Sequence, residues 1–342
     1  MASEDDSVAP SPSGDSEPFN VEGYARYRGR TMISRLLFIA ERCSDPESQM
    51  DALRLAYMKI KRTEDTQLHR RVVKMTNGRL GPEYGLDQAW IDDVDRRMAH
   101  GKDELQKDVS DAQYRLYEEG IRRALADFGD FYYSHGHLAD AFEKYVQSCD
   151  YCTTEDNTIQ MYLRVILVSI ELGQFSYVSH YADKAMKASC SLSPLTVGKL
   201  LCASALAYLH GKEYKLAACK FVEMRRALGI RYTEVVTPLD IGTYGGLCAL
   251  ASFDRTELVK KVIDNGVFQN YLEFVPQVRE LIIDFHERRN SYSIKSTLEK
   301  RRKRGRSEWR TLVGDFSSAN VLPRLDFHGE KEEDRRQECS EQ

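Results

Sequence analysis

Four sets of residues in this sequence have types and spacing that could do chemistry. Cys149-Asp150-Tyr151-Cys152 is a CxxC pair. Such a pair serves as half of a structural zinc site, or as a redox dithiol at the end of a strand. The other cysteines, at 43, 190, 202, 219, 248 and 339, are single and far apart. No second pair completes a zinc site, and no strand pattern precedes the first. We read Cys149 and Cys152 as ordinary thiols at a helix end.

His135-Gly136-His137, followed by Asp140, brings two imidazoles and a carboxylate together. Zinc hydrolases on a helix need H-E-x-x-H, which is absent. Metal-dependent isopeptidases of the MPN type follow H-x-H with a serine and an aspartate at fixed spacing. Tyr145 stands where that serine would fall. His135 and His137 are therefore read as turn residues between two helices.

Phosphate chemistry finds no cradle. G-x-x-x-x-G-K-S/T does not occur, and Gly242, Gly245 and Gly246 do not form G-x-G-x-x-G. No G-x-S-x-G nucleophile elbow is present either. Paired acids such as Asp92-Asp93 and Glu118-Glu119 read as solvated helix faces. We expect no catalytic, cofactor-binding or metal-ligating residue, no cofactor and no small-molecule substrate.

The fourth feature is KRRKRGR (300–306), six basic residues of seven. It fits a nuclear import signal, a nucleic-acid contact, or a solvated charge run.

The elements that carry these residues read as helices. Of nine prolines, none falls between Glu83 and Ser193. A proline inside a helix costs about 3 kcal/mol, so the gap permits a long helical array. Leu86, Trp90, Val94 and Met98 recur every four residues. Leu105, Val109, Ala112 and Leu116 follow, and Tyr117, Ile121 and Leu125 extend the stripe. This is an amphipathic pattern for packing on neighbouring helices, with a break or kink expected at His100-Gly101.

A looser repeat starts near Ala124. Three units, 126–146, 166–185 and 201–222, each place a glycine (Gly136, Gly173, Gly211) after an apolar helix. A large apolar residue (Leu138, Phe175, Tyr214) follows two or three positions on. Glycine accepts the left-handed conformation that ends a helix. A period of 37–38 residues fits tetratricopeptide-like helical hairpins. A fourth unit runs through 240–258, with Ser252 in the glycine's place. Met161–Leu172 is apolar almost all round and should be central. Ala203, Ser204, Ala205 and Ala207 are small enough to let helices approach closely. No strand alternation occurs before residue 290.

Composition fits this picture. The 342 residues are 42% hydrophobic and 30% charged, enough for a core under a well-solvated surface. The 49 basic and 53 acidic residues nearly cancel, so no global field gathers nucleic acid or anionic lipid. No run approaches the ~18 apolar residues of a membrane span. Residues 1–18 hold five acids, five serines and three prolines, with no Lys or Arg. That composition predicts a disordered acidic tail rather than a secretory signal or presequence. Scattered cysteines fit a reducing compartment.

Longer stretches then match a known family. They include TMISRLLFIAERC (31–43), DALRLAYMKIKR (51–62), TQLHRRVV (66–73), GRLGPEYGLDQAW (78–90), DFGDFYYSHGHLADAF (127–142), DYCTT (150–154), ILVSIELGQF (166–175), YKLAACKF (214–221) and DIGTYGGLCALASFDRTEL (240–258). The chain resembles the family of subunit 1 of the COP9 signalosome, most of all its plant forms. The related regulatory subunit of the proteasome lid is less similar around 240–258.

The resemblance implies an all-α fold. Tetratricopeptide-like hairpins lead into a PCI domain, which is a helical bundle followed by a winged helix. It implies a non-catalytic scaffold in a complex that removes NEDD8 from cullins and so regulates cullin-RING ubiquitin ligases. In plants that complex represses photomorphogenesis. The implied partners are the other signalosome subunits, with no membrane and no nucleic acid expected. The implied localisation is nucleus and cytoplasm. The expected domains are a tail (1–18), an N-terminal helical region (19–123), repeats (124–239), the start of the PCI bundle (240–290) and a divergent basic and polar tail (291–342). After about Arg289 the family's sequence stops being recognisable, so an incomplete bundle without the winged helix is expected, with bare apolar faces concentrated near 260–290.

Overall fold

The computed structural model describes residues 26–287, apart from 44, 190 and 225–227. Every segment between turns is helical, and no strand occurs among the described residues. The tail readings at 1–18 and 291–342, and the basic run 300–306, lie outside the described residues.

Helix starts follow from the chemistry of their first residues. Asp45, Asp65, Asp87, Thr154, Ser193, Thr237 and Asp254 each accept a backbone N–H two or three positions on. Each such cap contributes about 1 kcal/mol. Pro46, Pro194 and Pro238 open helices at positions whose N–H would be unsatisfied anyway.

The first three helices, α1 (Gly29–Arg42), α2 (Pro46–Ile60) and α3 (Thr66–Thr76), form an N-terminal layer. Its core is its own, built from Ile33, Leu36, Leu53, Ile60 and Val72 among others. A short 3-10 turn at Pro82–Tyr84 leads to α4 (Gln88–Tyr114).

Hairpins follow: α5 (Glu118–Ser134) with α6 (Leu138–Cys149), α7 (Glu155–Glu171) with α8 (Phe175–Ala188), and α9 (Pro194–His210) with α10 (Tyr214–Val222). Then come α11 (Pro238–Ser252), α12 (Arg255–Leu258) continuing as a π turn over Val259–Ile263, α13 (Gly266–Leu272) and α14 (Pro276–Glu287). Consecutive helices pack side by side, and one continuous apolar core runs from Val109 to Ile282.

The expected repeat is present, with the second helix of each hairpin starting at Leu138, Phe175 and Tyr214. The turn chemistry corrects one detail. The left-handed residues are Gly136, Gly173 and Lys212, so Gly211, at φ −73°, is not the left-handed position. In each turn the next backbone N–H reaches five residues back. His137 donates to Tyr132, Gln174 to Ser169 and Glu213 to Tyr208, each at 2.9 Å. Tyr117 makes the same bond to Ala112, so the α4–α5 turn belongs to the series with Leu116 as its left-handed residue. This is the Schellman arrangement, which satisfies carbonyls left open at a helix end. In the fourth unit no residue near Ser252 is left-handed, and an Asp254–Glu257 capping box starts α12 instead.

Three further expectations change. The helix runs unbroken through His100-Gly101, because Gly101 lets the Phe131 ring lie against its backbone, where a β-carbon would stand 2.7 Å from the ring. The stripe from Leu86 to Leu125 is two helices, and Leu116, at 86% exposure, faces solvent at the turn between them. The Met161–Leu172 helix is largely buried, as expected, and α11 is more enclosed still, with all ten residues from Asp240 to Ala249 buried. Its Gly242 and Gly246 seat the α13 backbone and Val278 of α14 at distances a β-carbon would block. For that reason the described part of 260–290 is mostly covered. Phe268, Leu272, Val278, Leu281 and Ile282 are buried there, while Val267 and Phe274 are exposed.

Candidate functional site

The strongest concentration of buried polar chemistry lies where the N-terminal layer closes on the repeats. Residues 26–80 hold 13 basic and six acidic residues, against 22 and 31 in 81–287. The excess positive charge of the layer meets acids of the repeats at two points.

At the first point, Tyr27 donates its hydroxyl to the Asp240 carboxylate at 2.7 and 2.8 Å. Arg35 stands 3.4 Å from the same carboxylate and 3.2 Å from the Tyr244 hydroxyl. The guanidinium also lies 4.3 Å from the centre of the Tyr27 ring. Asp240 is held on its own side by the Thr237 N–H, in the capping box that starts α11. All four side chains are buried. Burial and the Asp240 charge push the Tyr27 hydroxyl far up, so it remains a donor. Two backbone contacts add to this seam: Arg28 N–H to the Thr233 carbonyl at 3.0 Å, and the Thr31 hydroxyl to the Glu234 carbonyl.

At the second point, Arg30 gives Nη2 to Asp65 at 2.7 Å and sets Nε 3.1 Å from Glu171 Oε2. Tyr133 donates to Glu171 Oε1 at 2.5 Å. Burial pushes the Glu171 carboxyl up to about 7, against the pull of Tyr133 and Arg30. Asp65 also caps α3 through the Leu68 N–H at 2.8 Å. Three helix ends, of α3, α5 and α7, are thus tied through α1.

Such a cluster of a perturbed acid, a phenol and a guanidinium is what an enzyme site would require. Its surroundings argue otherwise. Side-chain exposure is 4% for Asp65, 10% for Glu171 and 15% for Arg30, and the groups face one another across helix ends rather than an open cleft. A cavity of about 290 Å³ lies elsewhere, between the π turn, α13 and α14, and contains no histidine or cysteine.

The motif residues are placed as follows. Cys149 and Cys152 each direct sulfur to the carbonyl four residues back, at 3.2 Å (Tyr145) and 3.6 Å (Ser148). Burial pushes the Cys149 thiol up to about 12 and raises Cys152 as well, which suppresses thiolate chemistry. His135 and His137 lie in the α5–α6 turn. His135 is buried, with Nδ1 2.8 Å from the Phe131 carbonyl and Nε2 3.1 Å from Glu64. It therefore anchors the α2–α3 loop as well as closing a helix. His137 pairs with Asp140 at 3.5 Å, one turn along α6. No group of three or more His, Cys, Asp or Glu that could hold a metal occurs among the described residues. Gly242, Gly245 and Gly246 sit inside α11 as packing seats. No helix among the described residues is long and apolar enough to cross a membrane.

Sequence reasoning missed the seam itself. Tyr27 and Asp240 are 213 positions apart, and no local pattern links them. Only Arg30 and Arg35, two of the three arginines of α1, hinted that acids would be needed opposite.

These features define a class: an all-α protein of helical hairpins feeding a PCI-type bundle, with an N-terminal layer clamped to the repeats. Within that class the chain belongs to the RPN7 family, whose model, described as 26S proteasome subunit RPN7, matches residues 87–261. It is similar to the COP9 signalosome complex subunit 1 of Arabidopsis thaliana, 53% identical over 275 residues, which is 80% of this chain and 62% of that protein. It is 32% identical to the protein of that name in Emericella nidulans, over 78% of this chain and 54% of that one. It is 35% identical to COP9 signalosome complex subunit 1b of Drosophila melanogaster, over 60% of this chain and 40% of that one. The resemblance read from the sequence is therefore shown. The chain spans between about two fifths and three fifths of the length of these relatives.

Proposed function

We propose that the chain is a non-catalytic scaffold subunit of a COP9-signalosome-type complex. Its partners are then the other signalosome subunits. Through them it supports removal of NEDD8 from cullins, regulation of cullin-RING ubiquitin ligases and, in plants, repression of photomorphogenesis. Nucleus and cytoplasm are the matching compartments. The observation that carries this reading is the 53% identity to a signalosome subunit 1 over 80% of the chain. The geometry supports it, because the buried acids and arginines are paired across helix ends rather than turned toward a cleft.

A second reading is favoured by the family model itself, which carries the name of a proteasome subunit. In that reading the same hairpins serve the proteasome lid. A third outcome is a form that assembles with neither.

One experiment separates them. The tagged chain is expressed in plant cells, recovered with its partners, and the eluate is assayed on neddylated cullin. Signalosome subunits with NEDD8 release support the proposal. Lid subunits support the second reading. A folded chain recovered alone rejects both.

A further inference from the structure

Three contacts in step join α10 to the segment that opens the bundle. Lys215, Cys219 and Val222 recur along α10, while Glu257, Lys261 and Asn265 recur every four residues from α12 through the π turn to the start of α13. Lys215 Nζ stands 2.8 Å from the Glu257 carboxylate, and Asn265 Nδ2 donates to the Val222 carbonyl at 2.9 Å. Between these two fixed rungs, Lys261 Nζ donates to the Cys219 sulfur at 3.8 Å. We propose that a peroxide converts this middle rung into a covalent sulfur–nitrogen bridge, which fastens the last repeat hairpin to the bundle.

Neighbouring groups aim the lysine. Its ammonium also lies 3.0 Å from Glu257 and 4.8 Å from the centre of the Phe253 ring. Lys261 sits in the π turn, an element that occurs most often at functional sites. The sulfur differs from its counterparts in the fold. Cys149 and Cys152 donate to helix carbonyls, and Cys202 and Cys248 are buried. Cys219 is only half-buried, and its sulfur is the acceptor in the contact with Lys261. A partly exposed cysteine beside a lysine is the setting in which oxidation becomes site-selective.

The chemistry balances with hydrogen peroxide as the oxidant. The Cys219 thiol reacts first, breaking the O–O bond and giving a sulfenic acid and one water. Sulfur is oxidised by two electrons and the peroxide is reduced. The Lys261 nitrogen, as the free amine, then attacks that sulfur. The S–N bond forms, the S–O bond breaks, and the hydroxide leaves with a proton from the nitrogen as a second water. Sulfenic acids condense with nitrogen in this way to give sulfenamides. Rotation of the flexible four-carbon lysine stem closes the remaining gap, while the outer rungs keep the two backbones in place. The Glu257 hydrogen bond holds the Lys261 pKa above its usual range, so the amine form grows with alkali.

The test exposes the full chain to hydrogen peroxide at pH 7 and pH 9, followed by chymotryptic digestion without reductant and mass spectrometry. The Cys219 and Lys261 peptides should appear joined, lighter than their sum by two hydrogen atoms, and should separate on adding dithiothreitol. The yield should be roughly fivefold or more higher at pH 9. Lys261→Arg keeps the charge beside Glu257, so it should fold as the wild type does. It should abolish the joined pair and leave Cys219 open to sulfinic acid. Because the bridge closes a loop in the unfolded chain, peroxide should raise the thermal midpoint of the wild type and not of Lys261→Arg. Cys219 unmodified, oxidised without Lys261 or joined to another residue overturns the proposal, as does a yield indifferent to pH. A joined pair that leaves the midpoint unchanged overturns it too, because such a link fastens nothing.

Discussion

A β-carbon on Gly136 would fall on the carboxylate of Asp65. One glycine thus sets how closely the N-terminal layer approaches the repeats. Gly136 is at φ +81°, ending α5, while Asp65 begins α3 and holds Arg30. Gly136→Ala should therefore cost about 1–2 kcal/mol for the left-handed backbone and more for the displaced carboxylate. Urea unfolding should show the loss. Hydrogen exchange should show it first in α1–α3; a uniform loss across the chain would contradict the account.

Glu171 makes the seam sensitive to alkali. Its carboxyl is pushed up to about 7 from an ordinary 4.5, so the fold favours the protonated form. That contribution is complete below pH 4.5 and is lost as pH rises through 7. It amounts to at most about 3 kcal/mol. Wild-type stability should decline from about pH 5 to pH 7 and level off above that, and Glu171→Gln should flatten the decline. An equal slope in both proteins would show that Glu171 does not titrate there.

His69 acts in the opposite direction. Its ring lies between Tyr57 and Trp90, at 5.1 and 5.0 Å, and neither nitrogen has a hydrogen-bond partner. Burial, then the Lys61 charge, holds its pKa below the usual 6.5. The stability this provides is present above pH 6.5 and lost as pH falls through the depressed value. The N-terminal layer should loosen in mild acid. His69→Phe should blunt that response, as read from Trp90 fluorescence in a Trp309→Phe background.

Two tyrosines should respond differently to loss of a hydroxyl. Tyr232 is buried and its hydroxyl has no partner, so Tyr232→Phe should be neutral or stabilising by up to about 1 kcal/mol. The Tyr133 hydroxyl donates to buried Glu171, so Tyr133→Phe should cost about 1–3 kcal/mol. Matched thermal melts decide the order.

Much of the fold was legible in the sequence because its signals are local. The spacing of Leu138, Phe175 and Tyr214 marked the hairpins, since each opens a helix one short turn after its partner ends. The proline-free stretch between Glu83 and Ser193 marked the helical array for the same reason. The shift of the third left-handed residue from Gly211 to Lys212 was not legible, because packing and the Glu213-to-Tyr208 bond override intrinsic preference there. Nor could the pattern show that Leu116 faces solvent, since a stripe continues across a turn as readily as along a helix.

By itself the sequence determined the helical class, the repeat and the family, all of which rest on residues close together in the chain. Tertiary structure alone decided what the polar residues are for. Arg30, Asp65, Glu171 and Tyr133 come from four helices, and Tyr27 meets Asp240 from the far end of the repeats. Such contacts arise because a buried charge must find its opposite wherever the packed helices place one.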